Sequence, residues 1–213
     1  APPQRMMLVP ALTLQAITKL LLNSFFSSHP ALWRRIVMIA SLENHNPQKN
    51  KLFFLKKFRI IFDMLNLVFR KATLIDLENL LSLEHSCFID DRISRGEFRA
   101  LLKKTTADIL IAESANQLIA AAVLYYRKHS TIARLYSFAV HPTHRRTGIA
   151  SALNSFMENE IKSRNANQLI LEVRQDNISA INFYLKTGYK QFGTYPKFYE
   201  DGTDAFRMKK DLT

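Results

Sequence analysis

The stretch His141–Leu153, "HPTHRRTGIASAL", decides how the rest of the chain is read. Two adjacent arginines run into Gly148, and the apolar spacing of a helix begins at once with Ile149 and Leu153. The preceding run, "ARLYSFAV" (133–140), reads as a strand, and Pro142, which has no backbone donor, ends its ladder. A strand that turns straight into a helix leaves the first helical N–H groups unpaired at the positive end of the helix dipole. Gly148 lets a large anion approach the backbone without a Cβ in the way, and Arg145 and Arg146 add forked donors suited to phosphate oxygens. A phosphate or pyrophosphate fits this turn; a solvated surface turn followed by a helix is the plainer alternative. Neither G-x-x-x-x-G-K-[ST] nor G-x-G-x-x-G occurs, which sets aside the P-loop and the dinucleotide fingerprint.

Outward from this turn the pattern is regular. "LVFRKA" (67–72) reads as a strand, and Thr73 with Asp76 has capping-box spacing ahead of a helix striped by Leu77, Leu80 and Leu81. A second helix is expected from about Ser94 to Lys104. "ADILIAES" and "LIAAAVLYYRK" form a hairpin turning at Ala115–Gln117. After the turn, Ile149, Leu153, Phe156 and Ile161 give a helix its buried face, and "NQLILEV" is the next strand. Asp176 or Asn177 caps a further helix striped by Ile178, Ile181 and Leu185, with Gly188 at its C-terminus. "YKQFGTY" and "DAFRMKKDL" close the chain as strands. The order β-α-α-β-β-β-α-β-α-β-β implies an α/β (α+β) fold, a mixed sheet with helices on its faces.

Composition adds a division. The chain of 213 residues carries a formal charge of +12; residues 1–63 hold +7 of it and residues 64–213 hold +5. All five glycines lie in the second part. Two regions are therefore expected, a basic, helical N-terminal extension over 1–63 and a domain over 64–213. For the extension, two readings stay open: a basic amphipathic helix on an anionic membrane surface or partner, and a loosely ordered segment upstream of a start at Met64. Its apolar runs are too interrupted for a secretory signal or a spanning helix. Cys87 is the sole cysteine, so no internal disulfide forms and a reducing, cytoplasmic compartment is expected. No Cys/His pair has metal-ligand spacing, and no metal is expected.

"LEVRQDNISAINFYLKTGYKQFG" (171–193) follows the turn one strand and one helix later. Together with Arg145-x-x-Gly148-x-Ala150 it resembles the GNAT superfamily of acetyl-coenzyme A-dependent N-acetyltransferases, and is most similar to the ribosomal-protein-alanine N-acetyltransferase branch. The resemblance covers about residues 67–211. Ala150 stands where the usual second glycine falls, and "EHSCFIDDRISRGEFRALL" replaces the branch's Pro-Trp-Ser element.

The resemblance implies a mostly antiparallel central sheet flanked by helices, with acetyl-CoA as co-substrate. It assigns the backbone of Phe138, Ala139 and Val140 to the pantetheine arm. Arg145, Arg146, Thr147, Gly148, Ile149, Ala150 and Ser151 fall to the pyrophosphate, and Asn177 to a further cofactor contact. Glu172 becomes the general base and Tyr184 the general acid. From the residues alone, Glu172 also reads as a partner of Arg174, Tyr184 as a core aromatic and Asn177 as a helix cap. His141 and His144 read as solvated loop residues, and Glu200, Asp201 and Asp204 as acids of an acceptor groove or of a solvated loop.

The expected acceptor is a protein or peptide N-terminus. About a tenth of an α-amine is neutral at pH 7, against well under a thousandth of lysine. A small-molecule amine and a non-catalytic acyl-CoA sensor are the alternatives. No specific nucleic acid is expected, and the chain is read as a monomer or homodimer.

Overall fold

The computed structural model describes residues 67–89 and 91–212; the expectations for residues 1–63 lie outside the described residues. Seven strands form one sheet: β1 (Val68–Lys71), β2 (Ala107–Ser114), β3 (Gln117–Tyr126), β4 (Ile132–Val140), β5 (Gln168–Arg174), β6 (Lys190–Tyr195) and β7 (Ala205–Asp211). Their spatial order is β1-β2-β3-β4-β5-β7-β6. All pairs are antiparallel except β4 with β5, which run parallel. Among the described residues four α-helices flank the sheet: α1 (Leu77–Cys87), α2 (Arg95–Leu101), α3 (Ile149–Ser163) and α4 (Ile178–Lys186). The element order is the one read from the sequence.

The helices divide between the two faces of the sheet. Leu77, Leu80 and Leu83 of α1 and Phe98 and Leu101 of α2 pack on Ile109, Ile111, Ala121, Val123 and Ala139. On the opposite face, Ile149, Leu153, Met157 and Ile161 of α3 pack on Leu110, Ala120, Ala122, Leu124 and Leu135. Each of those four α3 side chains is 0% exposed, and burying one of this size stabilises by about 1.5–3 kcal/mol before entropy is counted. The alanines of β3 let helices approach from both sides.

Local sequence explains most boundaries. Ser94 caps α2 by accepting from Glu97 N–H while Glu97 accepts from Ser94 N–H, a reciprocal box. The Thr73–Asp76 box is also present, but it opens a 3-10 turn, Leu74–Asp76, that runs into α1. Asp76 is claimed as well by a forked ion pair from Arg70 at 2.7 and 2.8 Å, tying β1 to the start of α1. The β2–β3 turn places Ala115 and Asn116 at φ 49° and 61°, the backbone of a mirror-image hairpin turn that matches strand twist. Gly188, at φ 94°, ends α4.

The structure corrects two helix faces. In α4, Ile178 and Leu185 are 61% and 51% exposed, and the buried residue is Tyr184, with Ala180, Ile181 and Phe183 packed beside it. In α3, Met157 and the polar Asn154 are buried where Phe156 was expected. Asn154 is satisfied there by the Tyr189 hydroxyl and by Glu158. α2 stops at Leu101, short of Lys104.

Candidate active site

β4 and β5 pair only from Ile132↔Gln168 to Leu135↔Leu171. Beyond those residues each strand keeps its outer neighbour and loses the other: Ser137–Val140 stay on β3, and Glu172–Arg174 stay on β7. The parallel pair therefore parts into a cleft in the middle of the sheet. Its position coincides with a bulge, since Val123 faces Ser137 and Leu124 faces Leu135, leaving Tyr136 as the extra residue on β4.

The edge of β4 in the cleft has no strand partner. His141 N–H donates to Ile119 C=O, so by antiparallel alternation Ala139 bonds β3 while the polar groups of Phe138 and Val140 face the cleft. Ala139 is also buried under α1. The Val140 carbonyl takes the Arg145 Nε at 3.2 Å and the Cys87 thiol at 3.4 Å. Burial pushes the Cys87 thiol up, away from the thiolate form. The Phe138 ring packs against Phe183 of α4 at 5.8 Å.

β4 leads directly into the arginine turn. Arg146 takes a left-handed φ of 63° and Gly148 one of 92°. The first bond into α3 runs from Ala152 N–H to Gly148 C=O, and no side chain caps the helix. The N–H groups of Ile149, Ala150 and Ser151 thus have no acceptor among the described residues. The side chain of Ile149 is fully buried and Thr147 donates to His144 C=O, which fixes the turn; Arg146 and Ser151 are exposed beside the open amides. An uncapped helix start, a positive-φ glycine and a free guanidinium fit a diphosphate, and the open β4 edge fits an amide-bearing arm. Both fit coenzyme A. His144 is buried, against the expectation of a solvated loop residue, while His141 caps the short turn Pro142–His144.

On the other wall, Glu172 is the first β5 residue past the last β4 pairing. Its side chain is 8% exposed and its partner is Arg134 of β4, at 2.8 Å, rather than Arg174. Arg174 instead bonds Asp176, Asp201 and Thr203 and lies over the Tyr199 ring at 4.7 Å. It holds the Asp201 carboxyl well below the usual carboxylate range. Asp204 accepts from Lys197 N–H, so two of the three acids expected in a groove organise the β6–β7 loop. Asn177 caps α4, accepting from Ala180 N–H at 3.1 Å.

Tyr184 is 7% exposed, and its hydroxyl makes no hydrogen bond among the described residues. Burial, and then the neighbouring Tyr199, raise its pKa above that of a free phenol. The same chemistry raises Tyr199 through burial, with Glu172 also contributing. Arg134 and Tyr199 escaped the sequence reading. Strand alternation could have put Arg134 on the Glu172 face; the register that makes them partners, and the loop that brings in Tyr199, left no local signal.

With the fold and cleft described, the chain is matched by the family model "Acetyltransferase (GNAT) domain" over residues 73–212. It belongs to that family. It is 42% identical over 77 residues to an uncharacterized N-acetyltransferase of Methanocaldococcus jannaschii, covering 36% of this chain and 49% of that one. It is 40% identical over 77 residues to the N-alpha-acetyltransferase of Sulfurisphaera tokodaii, covering 36% and 46%. The chain spans about half the length of the curated relatives it matches. In structure it resembles the ribosomal-protein-S18-alanine N-acetyltransferase from Escherichia coli, with a TM-score of 0.63 at 23% identity over 69% of this chain and 94% of the other. Among the described residues no cluster of metal-ligating side chains occurs, and no helix is long and apolar enough to cross a membrane.

Proposed function

We propose that residues 64–213 form an acetyl-CoA-dependent N-acetyltransferase domain whose acceptor is the α-amine of a polypeptide. The observation that carries this reading is the parting of β4 and β5 immediately ahead of the uncapped start of α3. In this reading the diphosphate lies on the amides of Gly148–Ser151 beside Arg146, and the pantetheine arm extends the sheet along Phe138 and Val140. Acetyl-CoA supplies the thioester. Family membership supports the donor, and the name N-alpha-acetyltransferase carried by a relative supports the acceptor.

Glu172 stands at the mouth as the base, directly or through water, and Arg134 fixes its orientation. An α-amine suits it, because a useful fraction of such an amine is already neutral. Tyr184 supplies the proton for the departing thiolate. Burial makes it a weaker acid than a free phenol, but the same desolvation raises the proton affinity of the thiolate beside it, so the two shift together.

Calorimetry with acetyl-CoA tests the first half. Gly148→Val should weaken binding by more than about tenfold, because a β-branched residue is strained at positive φ and its Cβ crowds the amides. Unchanged affinity puts the diphosphate elsewhere. An acceptor panel tests the second half, with peptides beginning Ala, Ser and Met set against polyamines and free amino acids. Acetylation of small amines alone overturns the α-amine; tight acetyl-CoA binding without any transfer makes the domain a sensor. A chain beginning at Met64 should fold and bind acetyl-CoA; an insoluble or non-binding product would assign residues 1–63 to the domain.

A further inference from the structure

Among the described residues the face of the sheet that carries Glu172 has no helix beyond β4. Among the described residues α1 and α2 cover only β2, β3 and β4 on that side. Alternation and register place Glu172 of β5 opposite Arg207 of β7, Ile170 opposite Lys209, and Lys209 opposite Lys190 of β6. Directly opposed side chains share a face. The Arg207 guanidinium is held between the rings of Phe192 and Tyr195 at 4.5 and 4.4 Å, and Lys209 lies 5.7 Å from the Phe192 ring. Phe192 and Tyr195 are 41% and 39% exposed.

Two features of this face are unexplained by folding. Lys190 and Lys209 oppose each other directly, a like-charge pairing that costs stability. The Arg207 Nε is buried without an acceptor, and an unmet buried donor also costs. None of Lys190, Arg207 and Lys209 has an ion-pair partner among the described residues. The acids on the strands of this face are Glu172, bound to Arg134, and Asp211, bound by Gln168 at the far end, while Asp176 and Asp201 beyond the end of β5 are taken up by Arg174. An anion along this track would relieve the like-charge pairing of Lys190 and Lys209.

We infer that the open face of β5, β7 and β6 seats the acidic body of the acceptor polypeptide, behind an amine that enters the cleft at Glu172. This rests on reading the cleft as the site of transfer to a polypeptide amine. The track begins beside Glu172, at the cleft that receives the amine. Arg207 lies across the ladder from it, and Lys209 is two residues further, about 7 Å along the strand. An extended chain covers that distance in two residues, so acidic side chains within the first several positions meet the cations. The exposed rings supply a platform for the backbone between them.

The test uses the full chain and a fluorescent peptide with a blocked N-terminus, Asp/Glu-rich after its first residue, beside its Asn/Gln counterpart. The blocked peptide cannot be acetylated, so its binding is read independently of the acceptor panel. The acidic peptide should bind at least about tenfold more tightly than the amide peptide, and the difference should shrink as salt is raised. K190Q/K209Q should abolish most of that difference while leaving the thermal midpoint unchanged or raised, because the like-charge pair is gone. K128Q, on the β3–β4 turn, should leave binding unchanged. Equal or absent binding of the two peptides, an equal loss in K128Q, or a single-stranded oligonucleotide that binds more tightly than the acidic peptide, overturns the inference.

Discussion

On β2 and along Ile119–Leu124 of β3 nearly every side chain is buried, because α1 and α2 lie on one face and α3 on the other; on β5 only Leu169, Leu171 and Val173 are. β6 has no fully buried residue at all. The first half of the sheet is a two-sided core, and the second is a one-sided layer with a cationic, aromatic outer face. A single sheet can carry both because the seam between them, β4 with β5, is short and parallel and comes apart after Leu135 and Leu171. The split sheet teaches where rigidity and chemistry separate. One wall of the cleft presents backbone held by a buried core, and the other presents side chains held by ion pairs.

The comparison breaks most visibly at Tyr184, which is both core aromatic and the proposed acid. Tyr184→Phe keeps the ring packing against Phe183 and Tyr189 and removes only the hydroxyl. General acids are worth about 10²–10⁴ in rate, so kcat should fall at least about tenfold, with acetyl-CoA affinity within a few fold. Unaltered kcat in a steady-state assay would return Tyr184 to a purely structural role. A joint fall of kcat, affinity and thermal midpoint would make the hydroxyl structural.

A next-largest effect probes the two-sided half. Leu153 is fully buried in the α3 face, and Leu153→Ala should cost about 2–5 kcal/mol in denaturant unfolding. Phe192→Ala on the open face should cost less than about 1.5 kcal/mol, since only half-exposed contacts are lost. Similar losses at the two positions would erase the distinction between the halves.

The smallest effect sharpens the second wall. Arg174 joins the end of β5 to the β6–β7 loop through Asp201, Thr203 and the Tyr199 ring. Arg174→Gln should raise the KM for the acceptor about three- to tenfold and leave acetyl-CoA affinity within about twofold, the range of a partly exposed ionic network. Arg174→Lys should recover part of the effect, because one ion pair survives while the fork and the ring stack do not. Equal changes in both substrates would show that the loop serves both sites.

Much of the fold was legible because its signals are local. Pro142 stops a strand, Ser94 and Glu97 cap each other, and Ile149, Leu153 and Ile161 recur at helical spacing wherever the chain folds. The turn at Arg146–Gly148 was legible for the same reason, since a glycine between a strand and a helix states its own backbone requirement. What failed were choices made by neighbours distant in sequence. Ile178 and Leu185 have the spacing of a buried stripe, yet α4 turns Tyr184 inward against Tyr189 and sets Phe183 against Phe138.

Strand alternation gave the face on which Glu172 lies, while its partner was settled by the parallel register that sets Arg134 beside it. Arg174, two residues on, lies past the parting of the strands and reaches the β6–β7 loop instead. By itself the sequence determined the elements, their order, the glycine turn between β4 and α3 and the residue types along the cleft. Only the tertiary structure decided where the sheet opens, which charges neutralise each other and which remain free. Those outcomes depend on strand register and helix coverage, which sum contacts between residues far apart in the chain.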